Sequence, residues 1–413
     1  MLVLVDIVAA NYSDPDQTTL QEEKAAEQFL KAVEKEGGPQ DVVIEAMPVQ
    51  QEAREAALIR IRAEIMAGGG PDVFILGPAN AITAEALFQF PKSAMANEIF
   101  LPLDEYIQSA QFMDWEKQTQ VIMEAGRWEG SQQLLPMAFS FPVTVFRKAD
   151  YDPQLSADMT WDDMRGSEDL CLQIAADYSF SGPAGGREYE PFTPLFGEGA
   201  DYKESELLFT EEEMVKRVKE TLDLSQQKES GKFDSVPEHY RTNTYVNFDD
   251  EEWQMDEFNH TSCLSQPIGK DEAITIVPCY NLQGGVTATI SAYAGINRNT
   301  SRPEDAFFLV DLLLSKKQQT TSQIYRMICD KMFGIPVQAD LLENNGNILG
   351  WSLTSENVEE FQSVLEHISV VRYRTPIDNH LIHVRSVFRF GSLEEKENEP
   401  QRDYQKMVQE LQE

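Results

Sequence analysis

The chain has 413 residues, 42% of them hydrophobic and 25% charged, and its formal net charge at pH 7 is −36. That length exceeds what one compact core usually accommodates, so two domains or two lobes are expected. The excess of acidic side chains excludes nucleic acid as a partner and disfavours a bare anionic membrane, because binding to both relies on lysine and arginine.

The N-terminal third alternates strand and helix patterns. An apolar run starts at residue 2, and after Asn11-Tyr12-Ser13 the apolar residues follow helical spacing as far as Gly37-Gly38-Pro39. A second run over 41–47 precedes another helical stretch that ends at 68–71, and residues 72–76 form a third, fully apolar run. This alternation predicts βαβ crossovers and a mainly parallel sheet covered on both faces, and therefore the α/β class.

The sequence contains no candidate for a membrane span. The longest apolar stretch near the N-terminus, 1–10, is interrupted by Asp6 and is far shorter than the roughly 18 residues that a span requires. The same stretch has no basic leader and no small-residue cleavage site, so it predicts a first strand and not a signal peptide. An exported protein would need a leader that this sequence does not contain.

The rest of the chain contains helices whose ends are recognisable. Three helix starts carry a capping pattern: Thr210 with Glu213, Ser301 with Glu304, and Ser315 with Gln318. A β-rich run over 286–297 precedes the second and third of them. Apolar spacing predicts two late helices, over 357–368 and 404–411.

Several segments occur in an order that is typical of one protein family. They are a helix, a glycine turn and a Pro-Asp-Val strand over 62–76, Leu-Pro-Leu-Asp-Glu-Tyr-Ile over 101–107, an apolar pair of segments over 133–137 and 143–147, Met-Thr-Trp-Asp-Asp-Met over 159–164, and a strand over 290–297 followed by 301–306 and by Gly-Ile-Pro-Val over 334–337. With these segments the chain resembles the family 1 extracellular solute-binding proteins, the class that includes the maltose-binding protein. Residues 180–260 and those from 370 onward match nothing in that pattern.

The resemblance implies a two-lobed, periplasmic-binding-protein-like (type II) fold with a hinge and a ligand cleft between the lobes. It also implies a monomeric, extracellular subunit of an ABC importer, which captures a small ligand, with carbohydrate favoured, and delivers it to a membrane permease. Such a subunit has no catalytic activity and no cofactor. It is periplasmic, or it is a lipoprotein held at the cell surface by a lipid anchor that this sequence does not carry.

Two other functions stay open at this point. A secreted carbohydrate-active enzyme would need two carboxylates that face one cleft. A surface adhesin would predict an exposed apolar patch instead of an enclosed pocket.

The lobes are predicted to be discontinuous in sequence. The strand and helix pair that follows residue 286 resembles the N-terminal third of the chain. One lobe is therefore predicted from 1–138 plus 284–333, and the other from 139–283 plus 334–413.

The ligand site is predicted beyond the carboxyl ends of the strands, where the loops of an open α/β sheet gather. The predicted ligand-binding residues are Asn11, Tyr12, Ser13, Gly77 and Asn80 after two strands, Tyr280, Asn281, Gly284 and Gly285 before the returning strand, Phe139 and Ser140 at the hinge, and Tyr178, Trp253 and Trp351 in divergent segments. Amides both donate and accept, aromatic rings offer faces, and glycine lets the backbone approach a ligand closely. The alternative is that the asparagines and glycines are turn formers and that the tryptophans pack in the core.

No catalytic or metal site is predicted. The sequence has four cysteines without the close spacing of a zinc or redox site: Cys171, Cys263, Cys279 and Cys329. Buried thiols and a bridge between the second and third of them are both open. His380 and His383 are interpreted as part of an extended segment and not as metal ligands, and the acidic run over 249–252 as a solvated surface.

Overall fold

The computed structural model describes residues 1–7, 15–77, 85–177, 180–181, 188–189, 192–243, 246–248, 260–262, 273–332, 334–341 and 355–412. Within these residues the strands are β1 (Leu2–Asp6), β2 (Val43–Ala46), β3 (Val73–Leu76), β4 (Arg127–Trp128), β5 (Ser131–Gln132), β6 (Leu134–Ser140), β7 (Pro142–Arg147), β8 (Phe180–Ser181), β9 (Glu188–Tyr189), β10 (Ala200–Asp201), β11 (Glu206–Leu207), β12 (His239–Asn243), β13 (Val246–Phe248), β14 (His260–Ser262), β15 (Ile274–Pro278), β16 (Val286–Ile296), β17 (Ile335–Pro336) and β18 (Ile368–Tyr373). The α-helices are α1 (Pro15–Lys35), α2 (Gln51–Met66), α3 (Pro91–Ala96), α4 (Asp104–Ile107), α5 (Gln120–Met123), α6 (Trp161–Gly166), α7 (Leu170–Ala175), α8 (Glu211–Glu229), α9 (Pro303–Leu313), α10 (Lys316–Thr321), α11 (Gln323–Met332), α12 (Ser355–Leu365), α13 (Pro376–Phe390) and α14 (Leu393–Gln412).

The largest sheet has seven strands in the order β17-β6-β16-β3-β1-β2, and β18 pairs with β16 beside this row. β1 runs parallel to β2 and β3, with Leu4 opposite both Glu45 and Phe74. This confirms the parallel arrangement that the N-terminal third predicts. β16 runs antiparallel to both β3 and β6, so the complete sheet is mixed.

Within the described residues, the chain passes twice between the large sheet and a three-stranded sheet of β12, β7 and β15. β6 ends at Ser140 and β7 starts at Pro142, so the first passage runs through Phe141 alone. β15 ends at Pro278 and β16 starts at Val286, so residues 279–285 form the return. Two such passages form the kind of connection that a hinge between two lobes requires.

The predicted residue boundaries of the lobes stay a prediction. β17 and β18, which that prediction places in the second lobe, both pair with strands of the large sheet. The large sheet therefore collects strands from both predicted sets of residues.

Two of the predicted helix caps are confirmed. Thr210 donates its backbone N–H to Glu213 Oε2 at 2.8 Å, and its Oγ1 accepts the backbone N–H of Glu213 at 3.2 Å, where α8 begins. Ser315 Oγ accepts the backbone N–H of Gln318 at the start of α10. In each case a side-chain oxygen satisfies an N–H that has no partner inside the helix.

Two local predictions are wrong. Ser301 is not a cap, because α9 begins at Pro303 with Arg302 in the cap position, and a proline in the first turn has no N–H that needs a partner. His380 and His383 do not lie in an extended segment but in α13. Sequence alone missed this helix because its apolar face stabilises it only when α14 and α8 pack against that face.

The described cysteines behave as buried thiols. Cys171 is buried and free, and burial raises the pKa of its thiol to about 11. Cys279 is buried and its Sγ donates to the backbone oxygen of Ala175 at 3.0 Å. Cys263 lies outside the described residues. None of the described helices is both long enough and apolar enough to cross a membrane.

Candidate ligand site

The carboxyl ends of β1 and β3 lie side by side at one edge of the large sheet. Asp6 is opposite Leu76, and the backbone N–H of Gly77 donates to Asp6 O at 2.7 Å. A Cβ atom on Gly77 would lie only 2.7 Å from Ile7 O. The backbone segments at Ile7 and Gly77 therefore approach each other more closely than a side chain at position 77 would allow. The segments that follow these strands therefore start from one point.

A buried ion pair stabilises this edge. Arg54, on α2, donates from both Nη atoms to the two carboxylate oxygens of Asp6, at 2.8 and 2.7 Å. Its Nε and Nη2 also donate to Glu85 O, at 3.1 and 2.8 Å. One guanidinium therefore holds both the end of β1 and the backbone at Glu85.

The first passage between the sheets is packed in a cluster of buried aromatic rings. Phe139 pairs in register with Ile335, and both Phe139 and Phe141 are 1% exposed. The rings of Phe139 and Phe141 are stacked with centroids 6.2 Å apart, and Phe141 stacks on Phe361 at 5.9 Å. The structure thus gives Phe139 a packing role, and Ser140 beside it is 9% exposed.

The return passage is a tight turn held by its own polar groups. Asn281 is fully buried, and its Nδ2 donates to Thr287 Oγ1 at 3.0 Å and to Ser369 Oγ at 3.2 Å. Its Oδ1 accepts the backbone N–H of Gln283 at 2.9 Å. The amide of Asn281 therefore has its hydrogen bonds inside the protein, as the turn-former alternative expects.

The two glycines of this turn are required by the backbone. Gly284 has a φ of 99° and Gly285 a φ of 83°, and residues with a Cβ atom rarely adopt such positive values. A Cβ on Gly285 would lie 2.5 Å from Ser369 Oγ. Gly285 therefore serves the close approach of the turn to the start of β18, and Gly284 its close approach to Asp158. A role of either glycine in ligand binding stays a prediction.

Tyr280 lies at the base of the same turn. It is fully buried, and its hydroxyl lies 2.6 Å from Nδ1 of His367. Burial lowers the pKa of His367, which favours the neutral imidazole and lets the Tyr280 hydroxyl donate to it. This contact leaves the aromatic ring of Tyr280 in the protein interior.

We expect the substitution Asn281→Ala to lower the free energy of unfolding by about 1–3 kcal/mol, because it leaves the buried partners of the amide without their hydrogen bonds. The sequence alone favours an unchanged stability and a tenfold loss of ligand affinity for the same variant. Urea denaturation of the free protein distinguishes the two expectations. Asn299→Ala is the matched control, and an equal loss in both variants would contradict the structural role of Asn281.

Seven of the predicted ligand-binding residues lie outside the described residues: Asn11, Tyr12, Ser13, Asn80, Tyr178, Trp253 and Trp351. The acidic run over 249–252 also lies outside them. The ligand role of the seven residues stays a prediction. Its support here is the shared edge of the sheet from which residues 8–14 and 78–84 start.

A second feature, which the sequence did not predict, is an open groove of about 410 Å³. Its lining includes Trp128 from the β4–β5 hairpin and Tyr202, which follows β10. Lys92 on α3 forms an ion pair with Glu198 across the groove, with Nζ and Oε1 2.6 Å apart. Lys92 Nζ also lies 5.8 Å from the centroid of the Tyr202 ring. Because these residues come from three distant segments, no local pattern could have identified them.

The groove brings the β4–β5 hairpin close to residues 198–203. The β4–β5 hairpin directly precedes β6, whose first residue, Leu134, pairs with Gly295. Gly295 in turn pairs with Phe74 near the start of β3. Trp128 is therefore near the amino end of β3, whereas Gly77 marks its carboxyl end.

Comparison with known proteins gives a likeness of fold. No protein-family profile matches the chain, and no curated protein matches it in sequence. Among solved structures, the sugar-binding protein MalE from Xanthomonas citri is similar, with a TM-score of 0.55 and 14% identity over 100% of this chain and 97% of that chain. A family 1 extracellular solute-binding protein from Alicyclobacillus acidocaldarius subsp. acidocaldarius DSM 446 gives a TM-score of 0.54 and 13% identity over 99% and 96% of the two chains. A cyclic alpha-maltosyl-1,6-maltose binding protein from Arthrobacter globiformis gives 0.51 and 13%, over 100% and 98%.

These likenesses extend along the whole chain, so they concern the complete architecture and not one motif. The fold is the two-lobed α/β fold of MalE-like binding proteins, as the sequence pattern predicts. The two passages, at Phe141 and at 279–285, join the large sheet to the sheet of β12, β7 and β15.

Proposed function

We propose that this chain is the solute-binding subunit of an ABC importer and that it captures an oligosaccharide between its lobes without chemical change. The observation that carries the proposal is the similarity of fold over 100% of this chain to the sugar-binding protein MalE from Xanthomonas citri. The similar protein from Arthrobacter globiformis binds a cyclic maltosyl-maltose. Closure of two lobes around a ligand at a hinge of two passages is the motion that suits such capture.

The oligosaccharide is proposed to bind at the carboxyl edge of β1 and β3. The backbone there is stabilised by the Asp6–Arg54 pair, so the loops that follow start from a rigid base. Side chains of Tyr12 and Asn80 would supply a ring and an amide from those loops, and Trp253 a ring from the opposite lobe. A sugar offers apolar C–H faces and many hydroxyl groups, which match rings and amides respectively.

The partner of the closed form is proposed to be a membrane permease, with the chain acting as a monomer outside the cytoplasmic membrane. The net charge of −36 would keep such a subunit dissolved beside an anionic lipid surface. Ligand binding would select the closed arrangement, so only the loaded subunit would fit the permease.

The test is a calorimetric titration of the chain with gluco- and manno-oligosaccharides, both linear and cyclic. One of them should bind with one-to-one stoichiometry, and at 100 times its dissociation constant it should raise the free energy of unfolding by about 2.7 kcal/mol. For a chain of this length that is a rise of only a few degrees in melting temperature. Chromatography should recover the sugar unchanged; a cleaved sugar would support an enzyme instead, and binding only to a macromolecule would support an adhesin.

Variants locate the site once a binding sugar is found. Tyr12→Ala and Trp253→Ala should each weaken binding more than tenfold, about 1.4 kcal/mol, because each removes a predicted stacking ring. Trp128→Ala, in the β4–β5 hairpin near the amino end of β3, is the matched control and should leave the affinity unchanged. A loss of affinity in Trp128→Ala alone would move the site to the groove.

A further inference from the structure

The C-terminal helices α13 and α14 bring histidines and carboxylates together on their facing sides. His380 and His383 are three residues apart on α13, so they share one face of that helix. Asp403 and Glu399 are four residues apart on α14 and share a face in the same way. One ligand atom from each of His383, Glu399 and Asp403 lies within 4.8 Å of the other two.

We propose that His383, Glu399 and Asp403 form a binding site for a divalent transition-metal ion of the zinc type. This site is separate from the proposed sugar cleft and does not depend on it.

The spacing of the three groups suits such an ion. Bonds from zinc to imidazole nitrogen and carboxylate oxygen are about 2.0–2.2 Å long, so two ligands of one ion lie about 3.4 Å apart in tetrahedral geometry and at most about 4.4 Å apart. The observed limit of 4.8 Å is closed by small side-chain movements, which also separate His383 Nδ1 from Asp403 Oδ2 beyond their 2.6 Å contact. One imidazole and two carboxylates favour zinc or a similar ion over calcium, which needs six to eight oxygens.

The site is anchored on one side and open on the other. The side chain of Asp403 is 2% exposed, and its Oδ2 lies 2.6 Å from Nδ1 of His383. The side chain of His383 is 53% exposed, which gives an ion a path from solvent. Glu399 is 22% exposed and accepts from Arg402 Nη1 through Oε1, so its other oxygen is available to a metal.

His380 holds the buried carboxylate in place. Its Nδ1 lies 3.0 Å from Asp403 Oδ1, and its Nε2 lies 3.1 Å from Glu410 Oε2. Because carboxylates accept, both ring nitrogens of His380 donate, and the imidazole is a positioning group and not a ligand. It turns Oδ2 of Asp403 toward His383, the kind of support that metal-ligating carboxylates receive from neighbouring groups.

The experiment is a calorimetric titration with Zn²⁺ of the full chain, freed of any affinity tag and first stripped with a chelator. One zinc ion should bind per chain, and His383→Ala should weaken binding at least about tenfold, as loss of a ligand should cost no less than loss of a supporting group. His239→Ala is the matched control, because that histidine lies on β12, remote in sequence from α13 and α14, and it should bind zinc like the parent.

Two further measurements separate a metal site from a purely structural contact. Glu399→Gln keeps the His383–Asp403 contact and should also weaken zinc binding about tenfold or more. In proton NMR, added Zn²⁺ should shift the imidazole signals of His383 and leave those of His239 in place, which five histidines in the chain make resolvable. No stoichiometric zinc binding, or equal affinity in the parent and in His383→Ala, would overturn the proposal.

Discussion

Arg372→Met is expected to lower the free energy of unfolding by about 3–5 kcal/mol, because it leaves a buried carboxylate without its counter-charge. Arg372 and Asp378 form an ion pair in which both side chains are 3% exposed. Arg372 Nη1 also donates to the backbone oxygen of Gly197 at 3.1 Å. One side chain on β18 therefore joins the start of α13 to a turn that lies far away in sequence.

The measurement is urea denaturation followed by far-ultraviolet circular dichroism. Arg60→Met is the matched control, since Arg60 is 44% exposed and forms an ion pair with Glu64 at 3.0 Å along α2. Loss of that exposed pair should cost less than about 1 kcal/mol. Equal effects of the two substitutions would show that burial of the Arg372 pair has no energetic consequence.

Trp161→Ala is expected to destabilise the protein by about 3–5 kcal/mol, the range for removal of a large buried aromatic side chain. Trp161 is fully buried, and its indole N–H donates to Ala176 O at 2.9 Å. The guanidinium groups of Arg165 and Arg217 lie 5.2 and 5.9 Å from its ring centroid. The substitution therefore removes a packed ring, a hydrogen bond and two cation–π contacts together.

Unfolding of Trp161→Ala is again best followed by circular dichroism, because the substitution changes tryptophan fluorescence. Trp115→Ala is the control, as Trp115 is only half-buried at the edge of the core, and it should cost clearly less. A Trp161 variant as stable as the Trp115 variant would contradict the packing role. The backbone N–H of Trp161 donates to Asn281 O at 2.9 Å, and this hydrogen bond is kept in the alanine variant.

Much of the architecture could be predicted from local sequence patterns. The alternation of apolar runs predicted that β1, β2 and β3 run parallel, and the Thr210–Glu213 box predicted the start of α8. Such features depend on residues a few positions apart, so a single sequence contains the information. The family resemblance implied a helix start within 159–164, and Thr160 caps that helix through Asp163.

The ligand site could be predicted from the sequence only in outline. The sequence indicated which loops follow the strands, and the structure adds that two of those loops start from one point beside Gly77. It also shows that Asn281 is committed to Thr287 and Ser369, which a turn-forming residue type could not reveal by itself.

The sequence by itself determined the α/β class, the parallel direction of the N-terminal strands and the caps of two helices, because hydrophobic period and capping act over single turns of chain. Tertiary structure alone decided which distant groups meet. Asn281 reaches Ser369 across 88 positions, and Arg372 reaches Gly197 across 175. His383 meets Asp403 only because α13 and α14 pack face to face. Contacts of this kind depend on how elements pack and on the burial that packing creates, and neither is encoded in the spacing of any one segment.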